Sequence, residues 1–147
     1  MKTLFLVPVL FSFLLTVSFQ TPADDGLRDD ILKYTNQFRK SKKLTELVMN
    51  EELNELAEKH SKNMASGKVP FGHDGFKERS DKARKKLNDF SIAENVAFGN
   101  YGGRDVVTQW KNSSGHRANM LGNYKYIGIG TAKSKSGMIY FTQIFAD

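Results

Sequence analysis

Residues 138–146 carry apolar side chains on both faces of what reads as an extended strand, with Met138, Tyr140 and Ile144 on one side and Ile139, Phe141 and Phe145 on the other. Side chains alternate across a strand, so a strand that is apolar on both faces must be covered on both. That requirement puts a sheet in the middle of the fold with a helix layer on each side. Residues 126–132 share the period of two, and Lys133-Ser134-Lys135-Ser136-Gly137 between the two runs is polar and turn-forming, which predicts a hairpin. Gly128 and Gly130 alternate with Ile127 and Ile129, leaving one face of that strand bare for a helix or loop to approach. Residues 90–98 supply a third strand candidate.

Elsewhere the apolar period is helical. Leu27, Ile31, Tyr34 and Phe38 predict a helix ending near Ser41, with Asp24 or Asp25 placed to cap its first amides. A second is predicted from an Asn50 cap, with Glu51 and Glu52 in its first turn and Leu53, Leu56, Ala57, His60 and Met64 on one stripe; Gly67 and Pro70 stop it. Val106, Val107 and Trp110 mark a helix of about ten residues, and Ser114 reads as the cap of a short helix running to Leu121. Residues 77–88 hold six basic side chains and read as a solvated loop or short helix.

Residues 4–19 are uncharged and follow Lys2. Their apolar run is about 15 residues, short of the about 20 that a spanning helix needs. It reads as a secretory signal cleaved after Ala23, or after Ser18, with an uncleaved anchor as the competing reading. A signal over 1–23 and one domain over 24–147 are expected, secreted or periplasmic. The chain of 147 residues contains no cysteine, so an exported domain must be held by packing alone, and disulfide scaffolds, thiolate nucleophiles and Cys-based zinc sites are excluded.

Glu94 is the main chemical oddity. In an extended segment it shares a face with Phe90, Ile92, Val96 and Phe98, and a carboxylate in an apolar row costs several kcal/mol unless it is neutralised or met by a cation, a His or a metal. Alternatively the chain bends at Glu94-Asn95 and the side chain binds backbone amides. His116 falls in the first turn of the short helix, where the dipole favours a neutral ring that can act as ligand or base; the structural reading is that it caps neighbouring carbonyls. His73 lies in the loop Phe71-Gly72-His73-Asp74-Gly75-Phe76, with Asp74 placed to orient it or to form an Asx turn. His60, on an apolar stripe, reads as a packed histidine bonded to a carbonyl and not a ligand.

Ser113 and Ser114 beside His116 suggest a serine hydrolase only weakly, since no Gly-x-Ser-x-Gly elbow exists. His-Glu-x-x-His, phosphate-binding glycine loops and calcium loops are also missing. The formal charge of +6 fits attraction to anionic envelope polymers or surfaces, or simply a solvated face. Nucleic acid is not an expected partner, because Phe76 alone among aromatics lies close to the basic run.

Five segments occur in a recognisable order: Ala57-Glu58-Lys59-His60-Ser61-Lys62-Asn63-Met64-Ala65; Gly72-His73-Asp74-Gly75-Phe76; Ala93-Glu94-Asn95-Val96-Ala97; Trp110-Lys111-Asn112-Ser113-Ser114-Gly115-His116-Arg117-Ala118-Asn119-Met120-Leu121; and Tyr126-Ile127-Gly128-Ile129-Gly130. Together they resemble the bacterial branch of the CAP superfamily, also called the SCP or cysteine-rich secretory, antigen 5 and pathogenesis-related-1 domain. The resemblance implies an α+β fold, a three-layer α-β-α sandwich with a small antiparallel sheet. It also implies a cleft with two His and two Glu that hold zinc or another divalent cation in some members.

His73, Glu94 and His116 match three of those positions, and Ser113 stands where the second Glu would be. The expected cleft is therefore His73, Glu94, His116, Ser113 and Asn95, with His73, His116 and Glu94 as the ligands of a Zn²⁺ or similar ion whose shell is incomplete. The family shares no single reaction. A non-enzymatic binding module for a small ligand or envelope component is expected, in a monomer, with a metal-assisted hydrolase and a structural envelope protein as the alternatives.

Overall fold

A computed structural model describes residues 22–87 and 91–147. The apolar stretch over residues 4–19 and Phe90 lie outside the described residues. In chain order the elements are α1 (Pro22–Ser41), β1 (Val48–Met49), α2 (Glu51–Ala65), α3 (Phe76–Leu87), β2 (Ile92–Gly99), α4 (Gly103–Asn112), α5 (Ser114–Met120), β3 (Tyr126–Lys133) and β4 (Ile139–Ala146). No helix among the described residues is long and apolar enough to cross a membrane.

The sheet runs β1-β3-β4-β2, and β4, apolar on both faces, is a central strand. Its expected helix layers are present. Phe141 and Phe145 pack with Ile127 and Ile129 against Ile31 of α1, Val106, Val107 and Trp110 of α4, and Met120 of α5. Ile144 and Ala146 face the other way, against Leu53 and Ala57 of α2 and Ala83 of α3. The sheet is mixed and not purely antiparallel: β1 pairs parallel with β3, Val48 opposite Tyr126 and Met49 opposite Ile127. A strand of two residues carries no alternation, so its sequence gives no period to read.

Helix α2 begins at the Asn50 cap, whose side chain accepts from Leu53 N at 3.1 Å. It lies unusually close to β3. A Cβ at Gly128 or Gly130 would collide with the backbone of Leu53 or of Ala57 and Glu58, so the two bare positions are what let the helix settle on the sheet. Beyond the end of β1, α2 also covers polar groups of β3: Ile129 N donates to Asn54 Oδ1 at 2.8 Å and Ser61 Oγ donates to Gly130 O at 2.9 Å. Those bonds close an edge that would otherwise pair with other chains.

The basic run is a full helix, α3, of 12 residues. Phe76, Ser80, Ala83 and Leu87 repeat at helical spacing and face inward, and five of the six cations, all but Arg79, decorate the outer side. Helix α1 starts at Pro22, which places Asp24 and Asp25 inside the helix and not at its cap. The cap position of α5 is Ser113, one residue earlier than expected, and its side chain makes no capping bond. What secures α5 is Arg39 of α1, 2% exposed, whose guanidinium donates to Met120 O and Gly122 O at 2.8 Å and to Thr45 O at 2.8 Å.

Candidate functional site

Strand β2 is the edge strand on the side away from β1, and it runs unbroken through Glu94 and Asn95. The bend anticipated as an alternative does not occur. Consecutive residues therefore point to opposite faces of the sheet. Glu94 sits opposite Ile144, on the α2/α3 face, and Asn95 opposite Gln143, on the α1/α4/α5 face.

The Glu94 side chain is 1% exposed and its carboxylate is fully engaged. Arg79 of α3 donates from Nε to Oε2 at 2.8 Å and from Nη2 to Oε1 at 2.8 Å. His73 Nδ1 lies 2.9 Å from Oε1. A planar guanidinium on two carboxylate oxygens is among the strongest pairings available to buried charge. Against that guanidinium the carboxylate only accepts, so His73 donates from Nδ1, and Nε2 is the outward nitrogen of the ring. Its side chain is 52% exposed, so that nitrogen is within a ligand's reach.

The loop that carries His73 is fixed from three directions. Arg79 Nη1 donates to Asp74 O at 2.7 Å, Phe76 N donates to His73 O at 2.9 Å, and buried His60 donates from Nε2 to Gly72 O at 2.8 Å. His60 is thus a packed histidine on a carbonyl, as its place on the stripe suggested, although its Nε2 is also 3.9 Å from Glu94 Oε1. Burial is the main cause that pushes its pKa down, with the Gly72 bond and Glu94 opposing and Arg79 assisting. Glu94, and not Asp74, orients the His73 ring.

A cavity of about 350 Å³ opens here, lined by His73, Phe76, Ile92, Ala93, Glu94 and Asn119. Asn119 comes from α5, where its Nδ2 donates to Glu94 O at 3.1 Å and to Asn95 Oδ1 at 3.0 Å. His116 lies three residues earlier on the same helix, hence on the same side. Its ring is partly buried and its pKa is lowered, first by burial and then by the charge of His73. No hydrogen bond joins its ring to His73 or Glu94 among the described residues.

Asn95, expected in the cleft, is fully buried beneath it on the opposite face. Its Nδ2 donates to His116 O at 3.1 Å and to Gln143 Oε1 at 3.2 Å, and Gln143 in turn donates to Thr35 Oγ1 at 3.0 Å. This polar chain ties α5 to β2, so Asn95 positions His116 and Asn119 without facing the cavity. Ser113 is the partly exposed junction between α4 and α5 and is not among the cavity's lining residues. Of the five expected cleft residues, the fold brings His73 and Glu94 into direct contact in the cavity wall, leaves His116 and Ser113 outside its lining, and points Asn95 to the opposite face of the sheet.

A resident divalent ion does not fit this arrangement. Both Glu94 oxygens are held by Arg79, whose positive charge would face the ion, and among the described residues no group of three or more His, Cys, Asp or Glu could hold a metal. Sequence reasoning missed Arg79 because it counted within a run of cations. The signal was available: Arg79 falls between Phe76 and Ala83 on the inward stripe of α3.

Layered helices around a four-stranded sheet, with an acid–guanidinium–imidazole cleft at the edge strand, define an α-β-α sandwich protein with a polar cleft. The chain belongs to the cysteine-rich secretory protein (CAP) family, whose model matches residues 32–145, although it has no cysteine. YkwD of Bacillus subtilis is 33% identical over 110 residues, covering 72% of this chain and 42% of that protein. An extracellular protein of Bacillus anthracis containing an SCP domain superposes with a TM-score of 0.72 at 27% identity, over 88% of this chain and 44% of the other. An outer surface protein of Borrelia burgdorferi shares the fold, with a TM-score of 0.70 at 17% identity over 83% of this chain and 92% of the other. The chain thus spans less than half the length of the two Bacillus proteins.

Proposed function

We propose that this protein is an exported, non-enzymatic binding module that holds a small polar ligand in the cleft beside Glu94. The observation that carries the reading is the saturation of Glu94 by Arg79 and His73. A carboxylate locked in this way is a poor metal ligand and a poor base, but it fixes the ring of His73, so the outward nitrogen of that ring and the Oδ1 of Asn119, whose Nδ2 is held by Glu94 O and Asn95 Oδ1, become preorganised partners for a ligand. Phe76, Ile92 and Ala93 supply the apolar wall. The volume suits a single sugar or amino-acid unit of an envelope component. No hydroxyl or thiol nucleophile lines the cavity among the described residues.

Export is supported by the uncharged stretch over residues 4–19 and by relatives described as extracellular or outer surface proteins. The test is an NMR titration of the mature chain with N-acetylglucosamine and with N-acetylalanine. Shifts confined to His73, Ala93 and Asn119, lost in His73→Ala, with no product formed, are the expected result. A second reading rests on the His73–Glu94 pair itself, which has the form of an oriented general base able to activate water. Hydrolysis of peptide or glycan polymers that disappears in His73→Ala would replace the binding reading with that one.

A further inference from the structure

A second concave region lies on the same side of the sheet but at the other end of β2. It is a groove of about 800 Å³ between the last turn of α2 and the β3–β4 hairpin. Lys62, Lys133 and Lys135 bring positive charge to it, Ser66 and Ser134 bring hydroxyls, and no acidic residue is among its lining. Lys62 is paired with Glu58, so the hairpin lysines carry the unbalanced charge.

Tyr140 forms one wall and leads out of the groove onto an aromatic surface. Its ring stacks on Phe98 at 5.7 Å between centroids, and Phe98 meets Phe71 edge-on at 4.8 Å. Phe71 and Phe98 are 48% and 47% exposed, two of the three large apolar side chains exposed among the described residues. Clustered half-bare rings beside a basic groove are unusual for a surface with no partner.

We propose that the groove and its aromatic wall bind an acidic polysaccharide. The apolar faces of sugar rings pack on Phe71, Phe98 and Tyr140, ring hydroxyls bond to Ser66 and Ser134, and the carboxylate or phosphate groups meet Lys133 and Lys135. An anionic membrane is the poorer occupant. Two half-exposed rings packed against each other offer a small apolar area, and binding to an interface scales with the apolar area buried in it. Glu94 and Phe98 share a face of β2 about 13 Å apart, so a linear chain seated here runs toward the first cleft. Binding in the groove does not require a ligand in that cleft.

The experiment uses calorimetry on the mature chain at about 0.15 M salt, where distant charges are screened. Oligogalacturonate supplies rings with charge, poly-glutamate charge without rings, a neutral oligoglucan rings without charge, and phosphatidylglycerol vesicles an anionic surface. Oligogalacturonate is expected to bind most tightly. Its affinity should fall about tenfold in Lys133→Ser/Lys135→Ser and about fivefold in Phe71→Ser/Phe98→Ser. Removing as much charge on α3 with Lys82→Ser/Lys85→Ser should leave it unchanged, and near-ultraviolet circular dichroism verifies that each variant is folded. Equal binding of poly-glutamate, preference for vesicles, an equal loss in the α3 variant, or no binding of oligogalacturonate overturns the proposal.

Discussion

Replacing Arg79 with Met removes the cation from a carboxylate that has nowhere to go. Glu94 is 1% exposed on its side chain and loses both bonds of 2.8 Å, keeping only His73 at 2.9 Å. Breaking a buried pair from one side costs about 3–5 kcal/mol. The Arg79 side chain is 13% exposed and the bond from His73 remains, so the lower end of about 3 kcal/mol applies. With a urea m-value of about 1.5 kcal/mol/M, the unfolding midpoint should drop by about 2 M. Glu94→Gln should cost less, about 1–2 kcal/mol, because Arg79 retains Asp74 O and some water. The double variant should be more stable than the sum of the two losses by about 2 kcal/mol. Urea unfolding of the four proteins measures this. A loss below about 1 kcal/mol for Arg79→Met, or additive losses in the double variant, would show that Arg79 is not the charge that permits Glu94 inside.

Gly130→Ala places a methyl inside the backbone of α2 and should destabilise by about 1–3 kcal/mol, read as a lowered melting temperature with unchanged secondary structure; a neutral result would mean that α2 is not seated on β3. Arg39→Met orphans the carbonyls of Thr45, Met120 and Gly122 and should cost about 3 kcal/mol, with faster amide exchange in α5 as the local signature. Stability should also fall on acidification. The pKa of His60 is lowered in the fold by burial but lies near 6.5 when unfolded, so below about pH 6.5 the unfolded chain takes up a proton that the fold resists, and stability decreases with falling pH until the folded pKa is passed. His116 acts in the same sense. Urea midpoints from pH 8 to 5 should show this slope, flatter in His60→Gln; an unchanged slope contradicts it.

The two-faced apolar pattern of residues 138–146 was enough to require the three layers, and Gly128 and Gly130 foretold the close helix, because burial and steric room leave a periodic trace in one stretch of chain. Glu94 was legible as a problem: a carboxylate in an apolar row needs a partner. Its partner was not, since Arg79 is 15 residues away on another element and local charge counting cannot tell an inward cation from five outward ones. Asn95 shows the same limit from the other side. Adjacent to Glu94 in the chain, it faces the opposite way in a straight strand, a consequence that the prediction of an extended segment already contained. The two-residue β1 left no pattern to find.

The most direct measurement is a calorimetric titration of the mature chain with Zn²⁺ at neutral pH. If Glu94 is committed to Arg79 and His73, the wild type takes up no stoichiometric ion, while Arg79→Gln, with the carboxylate released, gains measurable affinity that is lost again when His73→Ala is added. One-to-one uptake by the wild type that vanishes in Glu94→Gln would contradict the commitment of that carboxylate and return the cleft to metal chemistry.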